Sequence, residues 1–513
     1  LVFLAIVILV FISYSNSLHN PFIWDDLGLI VENPGIRQLS SIPSSFSRDL
    51  YSSTVAGSNF YRPLQEVSFI LDYQLWQLEP LGYRLTNILL QAIASFLVFI
   101  FVYFLTRVFT VSFFSAALFA VCPLNTEAVV YISGRSDILM AIFLMCSFIL
   151  FAYSVYRRGK RRISWFVLSC LCFVLALLSK ELSLVFPFVL ISYLLCFRAK
   201  ESLGWKAAFK VSLPFFVIDL AYLAIRFFLL DFTAIREATL TQMPFLLRLT
   251  FLPKVVFTYI RLLIAPVNLH MCRQFSYAVS RPEIFLFWLL LGFMLVLIIK
   301  SFTGKSRVSC FFLSWAIIFF IPQSGLFPIN SLVAEHFIYL PSVSFFVFFA
   351  FFLNGHFRKA MAVLLLSLAV LFYGILTLSR NSQWKDPFVF YEKIIKFSPD
   401  SFQAHNNLGL EYERSLLLGS AEREYKTALK LKPDLIEASS NLANIYYKTG
   451  RLDQALAEYE KVKKLAPYGK LGEIENNIGC VYELKGNLKK ALESYQLALR
   501  LSPKLNFAHF NMG

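Results

Sequence analysis

Asp25 and Asp26 stand side by side after Trp24, just beyond the first apolar run of the chain. Acidic residues number 32 against 48 basic ones, so an adjacent acid pair at this place invites a chemical reading. A carboxylate here can take a proton from a hydroxyl nucleophile or ligate a metal. The plainer alternative is a helix N-cap with a spare charge, a position that Asp favours. In the same loop Arg62 precedes Pro63, and its guanidinium offers either the fork of donors that grips a phosphate or an interfacial anchor. Further on, Glu127, Arg135 and Asp137 share one short turn, Lys180 and Glu181 a second, Glu335 and His336 a third. Ionisable groups at the ends of apolar blocks are costly and usually functional, although each alone also fits a paired turn charge. Together they describe acids that accept a proton and cations that steady a phosphate leaving group.

Such turns need long apolar elements to hold them. Apolar residues make up 58% of the chain and charged ones 16%, whereas soluble domains sit near about a half and a quarter. A bilayer span needs about 20 predominantly apolar residues. Blocks of that kind fall at 1–15, 85–106, 109–131, 137–156, 163–179, 182–197, 207–230, 283–300, 308–326, 337–353 and 360–378. Lys and Arg gather in the loops 157–162, 198–210, 300–307 and 358–359, which the positive-inside rule assigns to the cytoplasm. By alternation, loop 18–83, the turns at 125–136, 180–181 and 331–336, segment 231–282 and everything after Arg380 face outside. Residues 252–270 break the pattern, because Lys254, Arg261, Pro253 and Pro266 interrupt an apolar stretch. An interfacial or re-entrant helix is expected there.

The tail is periodic. Leu408, Tyr412, Ala421, Tyr425 and Pro433 recur as Leu442, Tyr446, Ala455, Tyr459 and Pro467, then as Ile478, Tyr482, Ala491, Tyr495 and Pro503. Tyr391 and Pro399 supply a preceding half repeat, and Asn511 and Gly513 match Asn477 and Gly479. A helix–turn–helix of about 34 residues with small and aromatic positions at these offsets is the tetratricopeptide pattern, whose stacked units present a concave protein-binding face. The expected architecture is therefore all-α: a polytopic membrane domain of about 11 spans over 1–380, then a helical solenoid over 381–513. The chain begins inside an apolar run and stops within a further repeat, so it reads as a piece of a longer chain. No small-residue cleavage site follows Leu1–Ile12, which favours a retained span over a leader.

The net charge of +16 flanks the spans instead of lining one face, which argues against nucleic acid as a partner. None of the 8 cysteines forms a Cys-x-x-Cys pair, so neither a disulfide framework nor a thiolate metal site is indicated. No metal ligand set stands out, though a divalent ion bridging acids and phosphate is compatible with these residues.

Several of these segments carry a resemblance. Trp24-Asp25-Asp26, Tyr61-Arg62-Pro63, Pro123 with Thr126-Glu127-Ala128-Val129, and Gly134-Arg135-Ser136-Asp137 are its first parts. Ser179-Lys180-Glu181, Ala334-Glu335-His336, Tyr339-Leu340-Pro341-Ser342 and the repeats complete it. Over almost its whole length the chain resembles the transmembrane and tetratricopeptide-repeat-containing O-mannosyltransferases, which have the C-type glycosyltransferase (GT-C) fold. The resemblance implies transfer of mannose from a dolichyl-phosphate donor to Ser or Thr of proteins in the secretory lumen, with Asp25 or Asp26 as catalytic carboxylate. On that reading Arg62, Arg135 and Lys180 bind the donor phosphate. Glu127, Asp137, Glu181, Glu335 and His336 support the site, and the repeats hold an acceptor or partner. Members often carry His near the positions of Cys122 and Asn125, and some carry Arg at that of His336. Bacterial relatives are poorly tied to a substrate, so the sugar is left open; there the donor lipid would be undecaprenyl phosphate and the site periplasmic. Two other readings share the architecture: a membrane-anchored repeat scaffold for envelope assembly, and a lipid-linked-glycan flippase or polymerase.

Overall fold

The computed structural model describes residues 1–51, 60–156, 160–198, 205–230, 244–273, 280–302, 307–327, 331–465, 471–503 and 506–512. Among them every regular element is helical. The chain divides into two compact units, Leu1–Lys385 and Asp386–Gly513.

Each of the eleven apolar blocks folds as a helix or a helix pair in the first unit. Among the described residues, four helices are long and apolar enough to cross a bilayer: Pro80–Thr106, Ile132–Val155, Trp205–Phe228 and Lys359–Ser382. Phe109–Ala120 and Pro123–Val129, bent by 46° at a short break, make a fifth if they are one span. Val2–Ser17, Glu181–Phe197, Arg307–Gln323 and Pro341–His356 are apolar but shorter. The remaining blocks carry charges near their ends. Among the described residues, length and polarity by themselves supply fewer than eleven crossings. The 252–270 segment forms the Phe245–Ile264 helix, with Pro253 inside it. That helix is not among those apolar enough to cross. Residues 157–159, 199–204 and 303–306 of the basic loops that set the expected orientation, and 231–243 and 274–279, lie outside the described residues.

The helices are built for lipid. Phe209, Leu213, Val217 and Leu220 of Trp205–Ala224 are exposed, while Ser212, Asp219 and Tyr222 of the same helix are buried. This inverts a soluble amphipathic helix, because hydrocarbon outside rewards apolar faces and confines polar groups to the interior. Between Arg135–Tyr156 and Lys160–Leu177, Ser147 and Ser169 each donate a hydroxyl to the other's carbonyl, at 2.8 and 2.7 Å. Such hydroxyl pairs join helices where no hydrophobic force does. An aromatic core fills the interior: Phe101 meets Trp315 at 4.8 Å and Phe148 at 4.9 Å.

The second unit stacks paired helices. Phe402–Arg414 with Leu418–Leu431, Ile436–Lys448 with Leu452–Leu465, and Leu471–Leu484 with Leu488–Leu501 are preceded by Pro387–Phe397 and followed by Asn506–Met512. The repeated residues explain the pairing. Ala421, Ala455 and Ala491 are buried where partner helices meet, and Tyr425, Tyr459 and Tyr495 are buried beside them. A Cβ on Gly409 would lie 2.6 Å from Tyr425, and one on Gly479 would lie 2.5 Å from Tyr495. Only glycine lets the ring in. The tyrosine hydroxyls still find acceptors, Tyr425 on Glu413 at 2.7 Å and Tyr495 on Glu483 at 2.6 Å, as buried hydroxyls must.

Candidate functional site

The first loop enters its site through backbone strain. Trp24 has φ +61°, a left-handed conformation uncommon for a bulky residue and often stored at functional positions. It sets the direction of the two acids that follow, and their fates differ.

Asp26 is buried and committed. Its Oδ1 accepts from the Ser133 backbone N–H at 2.8 Å and from the Ser133 hydroxyl at 2.6 Å. Arg84 faces it from Pro80–Thr106 and itself donates to the carbonyls of Asn20, Pro21 and Val130. Burial pushes the Asp26 carboxyl up to about 6, against the pull of Arg84 and Ser133. The residue ties the first loop to the 132–137 turn. That role is positional, and the sequence reading did not separate it from that of Asp25.

Asp25 is only half-buried. Burial raises its carboxyl above the usual range, while the nearby phenols of Tyr131 and Tyr51 and the charge of Arg62 draw it back. A carboxylate so placed is a stronger proton acceptor than a solvated one while keeping partners for its negative form.

Arg62 leads into the Pro63–Trp76 helix, with Pro63 at the first helical position. Its Nε and Nη2 donate to Glu181 Oε2 at 3.3 and 3.1 Å, and Nη1 reaches Ser136 Oγ at 3.5 Å. The guanidinium lies over Phe60, 4.6 Å from the ring centre, and 15% of the side chain stays exposed. Lys180 Nζ sits 2.7 Å from both oxygens of Asp137. Burial lowers its ammonium pKa and Asp137 restores part of the loss. Loop 60–63, turn 133–137 and turn 180–181 are thereby knotted by ion pairs into one polar end. Gly134 permits this closeness, since a Cβ there would fall 2.3 Å from the Glu127 carbonyl oxygen.

Arg135 departs from its expected role. Its side chain is fully enclosed and pairs with Asp72 at 2.5 Å. Nε donates to Asn87 Oδ1, Nη1 to Ser68 and Nη2 to the Tyr83 carbonyl, with Phe69 against its face. Every donor of the fork is taken, so Arg135 braces the Pro63–Trp76 and Pro80–Thr106 helices and has nothing left for a phosphate.

The other acids form a neighbouring group. Glu127 receives the His336 backbone N–H at 3.2 Å and holds His336 Nδ1 at 2.9 Å. Glu335 is buried against Arg380, at 3.2 Å. Tyr259 fixes the stretch of chain before them by pairing with both the N–H and the carbonyl of Ala334 at 3.1 Å. The two groups meet through an aromatic relay: Arg380 covers Trp384 at 5.5 Å, and Trp384 stacks on Tyr131 at 5.7 Å. Tyr131 in turn faces Asp25.

Tyr51, Tyr131, Arg84 and Arg380 were not singled out from the sequence. Arg84 and Arg380 carried a usable signal, a charge inside or at the end of an apolar block; the tyrosines carried none. Among the described residues no three His, Cys, Asp or Glu side chains converge as a metal site.

Comparison with known proteins adds to this geometry. The family described as "Dolichyl-phosphate-mannose-protein mannosyltransferase" matches residues 82–224, and "Tetratricopeptide repeat" matches 434–504. A protein O-mannosyl-transferase of Caenorhabditis elegans is 30% identical over 446 residues, covering 83% of this chain and 62% of that protein. The protein O-mannosyl-transferase TMTC3 of Mus musculus is 26% identical over 456 residues, covering 80% of this chain and 49% of its own length. The chain thus spans about half to three fifths of the relatives it matches.

Proposed function

We propose that this chain, which belongs to the transmembrane and tetratricopeptide-repeat-containing O-mannosyltransferase family, moves a sugar from a polyprenyl-phosphate donor to a protein hydroxyl. The sugar is mannose or a close relative, and the site faces away from the cytoplasm.

The setting of Asp25 carries this reading. A half-buried carboxylate with a raised pKa stands beside Tyr51 and Tyr131 and in the field of Arg62. In the reaction Asp25 takes the acceptor hydroxyl proton as that oxygen attacks the anomeric carbon. The bond from that carbon to the phosphate oxygen breaks, and the phosphate leaves with the electron pair. Arg62, partly exposed, and Lys180 behind it steady the developing charge. Asp26 and Arg135 hold the turns that aim these groups. The donor's prenyl tail lies among the exposed apolar faces of the helices, and the repeats retain the acceptor. No metal is required by these steps.

The test is transfer from a labelled polyprenyl-phosphate mannose to a Ser/Thr peptide in membranes containing the chain, read by mass spectrometry of the peptide. A hexose addition that needs Asp25 supports the proposal. No addition with a chain that is expressed and inserted, and with mannose and related sugars all supplied, rejects it in favour of a scaffold.

A further inference from the structure

Arg62 has a competitor for its attention inside the chain. Its Nε and Nη2 both donate to one oxygen of Glu181, Oε2, at 3.3 and 3.1 Å. These are long contacts for a charged pair, which closes to about 2.7–2.9 Å when well seated. The other oxygen, Oε1, is buried and meets no hydrogen-bond donor among the described residues. A buried acceptor left unmade is costly, so the carboxylate fits its place badly. The pair is also open, with 15% of the Arg62 side chain and 21% of that of Glu181 exposed. The neighbouring pair is closed: Lys180 and Asp137 are exposed by 8 and 3%, and Lys180 reaches both Asp137 oxygens at 2.7 Å.

A second arginine bears on the same carboxylate. The Trp205–Ala224 helix runs into a π-helical turn, Ile225–Leu229, that carries Arg226. Such turns are rare and gather at functional sites. Tyr222, buried and one turn earlier, brings this end against loop 60–63, its ring 6.0 Å from that of Tyr61. The charges of Arg62 and Arg226 both act on Glu181. A phosphate suits this seat better than a carboxylate does. Its oxygens spread over a tetrahedron instead of a plane, and its charge grows as the bond to the anomeric carbon breaks. We infer that Arg226 is a second residue gripping the donor phosphate, and that Glu181 is an internal anion competing with that phosphate for Arg62 and Arg226. This rests on the function proposed above only for the identity of the phosphate. Donor binding turns Glu181 toward its exposed side, and the two arginines close on the phosphate. After transfer the lipid phosphate carries more charge than the donor did, and the returning carboxylate helps to expel it.

The experiment uses the full chain in phosphatidylcholine nanodiscs, with fluorescence anisotropy as readout. The probes are a fluorescent short-chain polyprenyl phosphate and the same prenol without phosphate. Arg226→Ala should weaken binding of the phosphate by roughly three- to tenfold, the worth of about one hydrogen bond. Glu181→Gln should strengthen it by roughly three- to tenfold, because the competitor no longer holds the arginines. The prenol should bind equally to all three chains. A merely supporting Glu181 predicts the opposite sign. Weaker or unchanged phosphate binding by Glu181→Gln therefore overturns the inference, as does parental binding by Arg226→Ala. If Glu181→Gln melts early, Glu181→Asp, one methylene shorter and unable to hold Arg62, decides in its place by the same sign. Phosphatidylglycerol in the disc that competes as well as the polyprenyl phosphate would mark a general headgroup site and likewise overturn it. Asp25→Asn should bind the phosphate as the parent does. Parental transfer with the wrong sign at Glu181 defeats this inference alone. The expected signs in a chain that transfers no sugar defeat the catalytic proposal alone.

Discussion

Replacing Asp25 and Asp26 separately with asparagine divides the catalytic carboxylate from the structural one. Asparagine keeps the size and the Oδ1 acceptor of aspartate but cannot take a proton at neutral pH. At Asp25 it should lower transfer by on the order of 10²-fold or more, the usual worth of a general base, or about 2.7 kcal/mol of activation free energy. At Asp26 the structure leads to a different expectation. The carboxyl titrates at about 6 in the folded chain against 3.8 for a free one. Between those values the folded chain holds a proton that the unfolded chain has released, so stability falls as pH rises through that window. The gap corresponds to about 3 kcal/mol at neutral pH. An asparagine in place of Asp26 would still accept from the Ser133 N–H and hydroxyl, and Arg84 would keep its three backbone carbonyls. Asp26→Asn should therefore be at least as stable as the parent at neutral pH, lose the decline between about pH 4 and 6, and retain transfer to within about threefold. The assays are transfer of labelled sugar in membranes and thermal melting in detergent across pH. Parental transfer by Asp25→Asn, or loss of both stability and transfer confined to Asp26→Asn, would refute the assignment.

Four other outcomes are expected. Transfer should weaken on acidification with a midpoint above the ordinary carboxylate range of about 3.9, because burial raises Asp25; a pH-independent rate down to that range would remove it as the base. Arg62→Ala should mainly raise the donor concentration required, whereas Arg135→Ala should cost about 3–5 kcal/mol by stranding buried Asp72, measured as donor dependence against melting temperature. Ala455→Trp should destabilise the repeats by roughly 1–3 kcal/mol or more through overpacking, and a melting curve that does not move would count against the close helix contact. On a cysteine-free background, a probe at residue 420 should react from outside intact cells and one at residue 160 should not, and the opposite pattern would invert the proposed orientation.

The sequence alone determined the elements. A long apolar block can satisfy its own backbone in a bilayer only as a helix, and each block folds as a helix or a helix pair. The repeats were equally legible, because glycine, alanine and tyrosine recur wherever one helix must approach another. The sequence also marked the acids and cations at the block ends, for a charge beside hydrocarbon has few innocent reasons to be there. It did not show how they pair. Asp25 and Asp26 are adjacent and chemically identical in sequence, yet one is tied to Ser133, 107 positions away, and the other is left facing Tyr51, Tyr131 and Arg62. Arg135 and Arg62 look alike as turn arginines, yet Asp72, Asn87, Ser68 and Tyr83 enclose the first completely. Which donor is taken and which is spare depends on contacts between turns far apart in the chain. Local propensity carries no record of such contacts, so only the packed fold decides them.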